Sequence, residues 1–427
     1  MYSTQEVYDR IKNTLYAVST DTRNLSPGSV FFALTGDTFD GNTYTQEALE
    51  KGASWVIVDN PDYQINDRCM LVENVLETLQ NIAQIHRKSY SIPIIAIGGS
   101  NGKTTTKELI HTVLSKKYAV HTTKGNLNNH IGVPLTLLQL TDDTDIAVIE
   151  VGANHPQEHS RLMELVAPTH VLVTNNGADH LEGFGNLDGV RRANAEIYTY
   201  AKTRDATIFV NKTISDLVED SLCEKQYLYP TKPWVGTSTI TTSITYDGAL
   251  INSQLFGAYN ESNILAAIAV GEYFDIPLPD IRDAIQTYTP TLKRSQVLHV
   301  DSLTVVLDCY NANPSSMELA LRDFIQTTPA GNRIVVIGDM LEMGTEESRV
   351  HKEILALVQK ISDTKDIIIC VGPRFGIYTN EFPFMFFETT TSAAKYIEKL
   401  TLTNMYMFLK ASRGIKLEDV IKEKISL

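Results

Sequence analysis

Cysteine is scarce. Four residues, Cys69, Cys223, Cys309 and Cys370, are scattered through the chain without a CxxC pair. That excludes a paired-cysteine zinc site and a disulfide framework, and fits reduced thiols in a cytoplasmic protein. Long apolar runs are also missing. None approaches the roughly 20 residues of a membrane-spanning helix. Met1 to Thr20 has no basic stretch leading into an apolar one, so no signal peptide is expected. Positive charge is in deficit: 37 Lys and Arg stand against 51 Asp and Glu, a net charge of −14. An acidic surface argues against general nucleic-acid binding and against an anionic membrane surface. It leaves open an anionic small molecule held in a local basic pocket. There is no GxGxxG turn, so a dinucleotide cofactor is not expected. No internal repeat or low-complexity tract is present.

What is present begins with size. A chain of 427 residues suggests two or three domains. Ile94-Ile95-Ala96-Ile97 runs into Gly98-Gly99-Ser100-Asn101-Gly102-Lys103-Thr104-Thr105-Thr106, and helical spacing follows. Strand, glycine turn and helix form a phosphate loop. The glycines let backbone N–H groups point at phosphate oxygens, and the helix N-terminus adds positive potential. Lys103 can reach the β- and γ-phosphates, and Thr104 can bind Mg²⁺. The loop is one residue shorter than the general pattern, because Ile97 stands where the first glycine would be.

Other polar groups sit where strands are expected to end. Asp145 to Glu150 reads as a buried parallel strand ending in a carboxylate, placed to hold Mg²⁺ beside the phosphate loop. His180 follows the strand His170–Thr174 and reads as a metal or catalytic group. Asn126, Asn128 and Asn129 lie in a loop able to offer amide donors to phosphates. Asn260 could cap the helix it begins. Ser315 with Glu318 predicts a capping box. Asp21 to Leu34 reads as strand, turn and buried strand. From Tyr227 to Phe256, alternating Thr, Ile and Ser suggest antiparallel strands. Strands and helices alternating after Leu303 predict a Rossmann-like α/β unit. Lys410 and Arg413 put two cations after its last strand.

Taken together these stretches resemble the Mur ligase family. The resemblance rests on Asp21-Thr22-Arg23, Ser100 to Thr105, Gly125-Asn126-Leu127-Asn128-Asn129, Glu150 to Asn154 and His180 to Phe184. Tyr310-Asn311-Ala312-Asn313-Pro314, Gly338 to Gly344 and Lys410 to Arg413 add the branch that attaches D-alanyl-D-alanine. The resemblance implies three α/β domains: a UDP-sugar domain over 1–91, a central domain for ATP and Mg²⁺ over 92–291, and a Rossmann-like ligase domain over 292–427. It implies an ATP-dependent peptide ligase that works through an acyl phosphate. The partners would be the small molecules UDP-N-acetylmuramoyl-tripeptide and D-alanyl-D-alanine, with neither nucleic acid nor membrane, and the chain a monomer.

By the same resemblance, Lys103, His180 and Arg294 are catalytic. Gly99, Ser100, Asn101, Gly102, Lys103, Thr104, Thr105, Asn260, Arg294, Asp308 and Asn311 bind ATP. Asp21, Thr22, Arg23, Asn126, Asn128, Asn129, Ser412 and Arg413 bind the other substrates, and Thr104, Glu150 and His180 hold metal. One departure stands out. The family carries a carbamylated lysine two residues before Glu196, where this chain has Asn194. The modification is therefore expected to be absent. The alternatives are a non-catalytic nucleotide-binding relative, for which Asn194 is the sole support, and folylpolyglutamate synthase, whose substrate needs no UDP-binding domain.

Overall fold

The computed structural model describes residues 1–14, 17–291 and 293–422. Leu292, where the third expected domain begins, and residues 423–427 at its end lie outside them. Three α/β layers follow one another along the chain. The first is a four-stranded parallel sheet in the order Val18–Ser19, Val30–Phe32, Trp55–Val58, Cys69–Leu71. The stretch expected as a strand after Asp21 is instead a 3-10 turn, Thr22–Asn24. The Asp21 side chain accepts the Arg23 N–H and closes that turn, a local bond that competes with sheet pairing.

The central sheet is six-stranded and parallel. Its order is Gln226–Tyr229, Thr207–Asn211, His170–Val173, Ile94–Gly98, Ile146–Glu150, Val120–Thr122. Ile94–Gly98 is wholly buried because both faces are covered. Ile94 and Ala96 join one apolar cluster, while Ile95 and Ile97 join another with the helices Lys103–Leu114 and Asn260–Tyr273. From this middle strand the chain goes to the edge strand Val120–Thr122, returns inward to Ile146–Glu150, then crosses to His170–Val173 on the other side. The loops after the three inner strands therefore diverge and leave a crevice at their carboxyl ends.

The helix Val75–Lys88 ties the first layer to the second. Its apolar face shares the first cluster with Val30 and Leu137, and Arg87 donates to the carbonyls of Val166 and Ala167 at 2.9 and 2.8 Å.

The third sheet has nine strands among the described residues. Trp234–Ser238, Thr241–Tyr246 and Ala249–Phe256 form the antiparallel run expected from the alternation, whereas Gln226–Tyr229 belongs to the parallel central sheet. Ala249–Phe256 meets Gln296–Val300 only through Leu255 and Gln296, so the two halves of this sheet join at a narrow seam. Beyond it Leu303–Asp308, Tyr406–Lys410, Arg333–Gly338, Ile367–Val371 and Met385–Phe387 run parallel.

Two cap assignments differ from expectation. Asn313, not Ser315, caps Pro314–Thr327, with Ser316 completing the box. Pro314 takes the first helical position, where its missing N–H costs nothing, and this fixes the cap one residue earlier. Glu318 pairs with Arg322 instead. Asn260 lies inside its helix, and its Nδ2 donates back to the Phe256 carbonyl at 2.7 Å.

Candidate functional site

A cavity of about 650 Å³ opens where the crevice of the central sheet faces the third layer. The phosphate loop forms its floor. Gly99 has φ +112° and Gly102 φ +82°. A Cβ at Gly99 would stand 2.3 Å from the Thr174 hydroxyl, and one at Gly102 2.4 Å from the Asn263 amide oxygen. Both positions need glycine for conformation and for space. The loop is stitched to the neighbouring strand end. Ser100 N–H donates to the Asn175 carbonyl at 2.9 Å, and the Thr174 hydroxyl donates to the Asn101 carbonyl at 2.7 Å. No side chain caps the helix Lys103–Leu114, so its first N–H groups are free to face an anion. Lys103 Nζ rests on the loop's own carbonyls, Gly99 at 2.5 Å and Ser100 at 3.0 Å, with Asp179 at 3.9 Å.

Glu150 ends the adjacent strand and is 1% exposed. Its Oε1 accepts from Asn128 Nδ2 at 2.8 Å. Its Oε2 has no hydrogen-bond donor among the described residues, and Lys107 Nζ is 4.0 Å away. A buried carboxylate oxygen without a donor is costly, and a cation would satisfy it. Among the described residues no cluster of three His, Cys, Asp or Glu could hold a metal. Thr104 and Glu150 line the cavity beside the loop and offer the one or two protein oxygens that Mg²⁺ takes when phosphate and water complete its shell.

His180 has a left-handed backbone, φ +47°. Its Nδ1 lies 2.8 Å from Glu342 and its Nε2 3.6 Å from Asp179. Burial pulls its pKa down, but the Glu342 hydrogen bond and the Asp179 charge outweigh burial, and the net shift is upward.

The third layer supplies the opposite wall. Arg294 sits with its guanidinium carbon 3.7 Å from the Tyr310 ring centroid, and its buried Nε has no partner among the described residues. Lys293 and Ser295 on either side both have positive φ, +57° and +47°. Two non-glycine residues in this region store strain, and here they aim one arginine into the cavity. Asp308 accepts from Lys410 Nζ at 2.5 Å and from Ser295 N–H at 3.1 Å.

The cavity brings together Ser100 to Thr105, Asn126, Asn128, Asn129, Glu150, His180, Asn260, Arg294, Asp308, Asn311 and Arg413. Gly99 lies beneath this lining. Ser412 spends its hydroxyl on the Leu341 N–H and the Ala312 carbonyl, so its side chain is committed to the fold. Asp21, Thr22 and Arg23 belong to the first layer and are not part of the cavity. Arg23 is paired to Asp21 at 2.8 Å and its side chain is 85% exposed.

Profiles of three consecutive Mur ligase units match the chain. They are the Mur ligase family catalytic domain over residues 14–89, the Mur ligase middle domain over 97–271 and the Mur ligase glutamate ligase domain over 293–398. The UDP-N-acetylmuramoyl-tripeptide--D-alanyl-D-alanine ligase of Bacillus subtilis (strain 168) is 33% identical over 442 residues, covering 97% of this chain and 94% of that one. The chain belongs to the Mur ligase family. Among solved structures, MurF from Acinetobacter baumannii superposes with a TM-score of 0.84 at 25% identity, covering 96% of this chain and 93% of that one. The MurF ligase of Thermotoga maritima, solved in complex with ADP, shares the fold with a TM-score of 0.81 at 23% identity, covering 96% and 97%.

Within this Mur ligase the sequence reading passed over several groups that the fold draws in. Asn263 orders the phosphate-loop helix through Thr106 at 3.0 Å. Lys410 was visible only as a cation after a strand, and its pairing to Asp308 depends on two strands 102 residues apart becoming neighbours. Asp179 and Glu342, the two carboxylates around His180, come from different layers. Asn194 is buried and donates to Asn176 at 2.8 Å, which in turn donates to Asp216 at 2.6 Å. It is a link in a chain that runs from the cavity lining at Asn176 to the Asp216 carboxylate.

Proposed function

We propose that this Mur ligase joins D-alanyl-D-alanine to UDP-N-acetylmuramoyl-tripeptide at the expense of ATP, in peptidoglycan precursor synthesis. The carrying observation is one cavity that contains a phosphate loop, a buried carboxylate oxygen lacking a donor, and an arginine with an unpaired Nε. The cavity residues fit this geometry, and the residues of the first domain are assigned from the family resemblance. Backbone N–H groups from Ser100 to Thr105 cradle the ATP phosphates, and Lys103 leaves its carbonyl rests to meet the β- and γ-oxygens. Thr104 and Glu150 would hold Mg²⁺. His180 is assigned beside them, since its Nδ1 bond to Glu342 leaves Nε2 as the atom that can turn inward. The cation supplies charge neutralisation on the phosphates.

The tripeptide carboxylate attacks the γ-phosphorus and ADP leaves, which gives an acyl phosphate. The free amine of D-alanyl-D-alanine then attacks the acyl carbon. Inorganic phosphate departs from the tetrahedral intermediate, and the amine loses a proton. Two anions must meet in the first step, and Lys103 and Arg294 offset their repulsion. Asn260, Asp308 and Asn311 are assigned to ATP, and Asn126, Asn128, Asn129 and Arg413 to the peptide substrate. Asp21, Thr22 and Arg23 are assigned to the UDP-sugar on the first domain, with domains at 1–91, 92–291 and 292–427. The enzyme is taken to be a cytoplasmic monomer. No helix among the described residues is long and apolar enough to cross a membrane.

The test is ADP release from MgATP with each substrate alone and with both. Release that needs both, with the pentapeptide product found by mass, supports the proposal. Absence of turnover in folded protein that still binds ATP would favour a nucleotide-binding relative. Release driven by a folate with glutamate would favour the folylpolyglutamate reading.

A further inference from the structure

The third layer touches the phosphate loop through one buried amide. Asn313 is 1% exposed, and both ends of its side chain are used. Its Oδ1 accepts the Ser316 N–H at 2.8 Å and so caps the helix Pro314–Thr327. That fixes which way the amide faces. Its Nδ2 must point across the cleft, where it donates to Asn101 Oδ1 at 2.9 Å and lies 3.4 Å from Asp179 Oδ1. Asn101 is a phosphate-loop residue, and its backbone N–H and C=O are both held by the Asn175 side chain. The other oxygen of Asp179 lies 3.9 Å from Lys103 Nζ. One amide thus reaches both the loop and the carboxylate that competes with phosphate for the loop lysine. Next to it Ser315 Oγ accepts the Ala178 N–H at 3.1 Å, a second bond across the same cleft.

We propose that Asn313 is a positioning residue for the phosphate loop, acting from the C-terminal layer. Its Nδ2 orients Asn101 through Oδ1 and occupies Asp179, which keeps that carboxylate from drawing Lys103 off the phosphates. Without this donor arm Asn101 is left unoriented, Asp179 competes for Lys103, and phosphoryl transfer slows. This inference rests on the ligase reading above.

The experiment is steady-state ADP release by the full chain with ATP varied at saturating tripeptide and dipeptide, comparing wild type with Asn313→Ser. Serine is also a good helix cap but lacks the second donor arm. The expected result is a fall in kcat of about tenfold, with KM for ATP changed less than about twofold and Tm within about 2 °C of wild type. Asn313→Asp keeps the cap even more firmly and places a carboxylate oxygen against Asp179, so at least the same loss is expected. It carries the test should the serine variant fold poorly. Combined with Asn101→Ala, the serine variant should lose clearly less than the product of the two single losses, because both remove the Asn313–Asn101 bond. Wild-type turnover with unchanged Asn313→Ser, losses that multiply with Asn101→Ala, or a rise in KM alone would each overturn the inference and leave the ligase reading standing. A wild type without turnover overturns the ligase reading, and this inference with it.

Discussion

At the scale of single residues, the site depends on groups whose ordinary partners are missing. Glu150 shows this best. One oxygen accepts from Asn128, and the other has no hydrogen-bond donor among the described residues, with Lys107 Nζ 4.0 Å away. Replacing it with glutamine keeps the size and the Asn128 contact region but removes the charge. We expect Glu150→Gln to keep Tm within a few degrees and to lower kcat by at least about 100-fold, read by ADP release and thermal unfolding. Gly99 makes the opposite case, where a residue matters for what it leaves out. Gly99→Ala would force a Cβ to 2.3 Å from the Thr174 hydroxyl at φ +112°. The expected cost is about 1–3 kcal/mol of stability with loss of ATP binding, measured by denaturant unfolding and nucleotide titration. Asn194 belongs at this scale too. Its amide donates to Asn176 and also meets the buried His159 imidazole, so both partners of the position are neutral side chains of the central domain.

At the scale of elements, helix ends decide where the functional loops start. The helix Leu187–Thr203 starts where Asn186 caps it by accepting the Gly189 N–H at 2.9 Å. This helix carries Asn194 and also Glu196, which accepts the N–H groups of Gln157 and Ser160 and so anchors the neighbouring helix Glu158–Val166. Asn186→Ala should cost about 1 kcal/mol, seen as a lower denaturant midpoint with unchanged m-value. The same logic accounts for the misplaced box at Ser315. A capping pattern can be written at two registers two residues apart, and the proline chose between them.

At the scale of the whole molecule, buried histidines contribute to the loss of stability in acid. His170 lies in an aromatic nest of Phe209, Tyr273 and Phe274, and burial pushes its pKa down to about 4. His159, fully buried, is pushed down to about 3 by burial and then by Lys103. Their unfolded values lie near 6.5. Between 6.5 and these folded values the unfolded chain binds more protons than the folded one. Stability from these groups is therefore complete above pH 6.5 and falls as pH drops toward 4. His170→Phe should flatten that decline by about 3 kcal/mol at pH 4, measured as the pH dependence of unfolding free energy.

Much of this protein was settled by local chemistry. The phosphate loop, the carboxylate ending Ile146–Glu150, the helix Val75–Lys88 and the alternating α/β order are written in runs of neighbouring residues. Hydrophobic period, glycine and capping groups act over a few positions, so they can be read without a structure. What only the tertiary structure decided are meetings between distant segments. Asp308 finds Lys410, His180 finds Glu342, and Asn313 reaches Asn101 because parallel strands and a folded-over third layer bring them within bonding distance. The strained turn around Arg294 is of the same kind. Nothing in Lys293 or Ser295 favours positive φ, and the bonds that hold the turn come from distant strands: Cys309 N–H to the Lys293 carbonyl and Phe256 N–H to the Ser295 carbonyl, both at 2.9 Å. The sequence determined which chemical groups stand at the strand ends. The fold decided which of them share a partner, because hydrogen bonds and ion pairs act over a few ångströms in space whatever the separation along the chain.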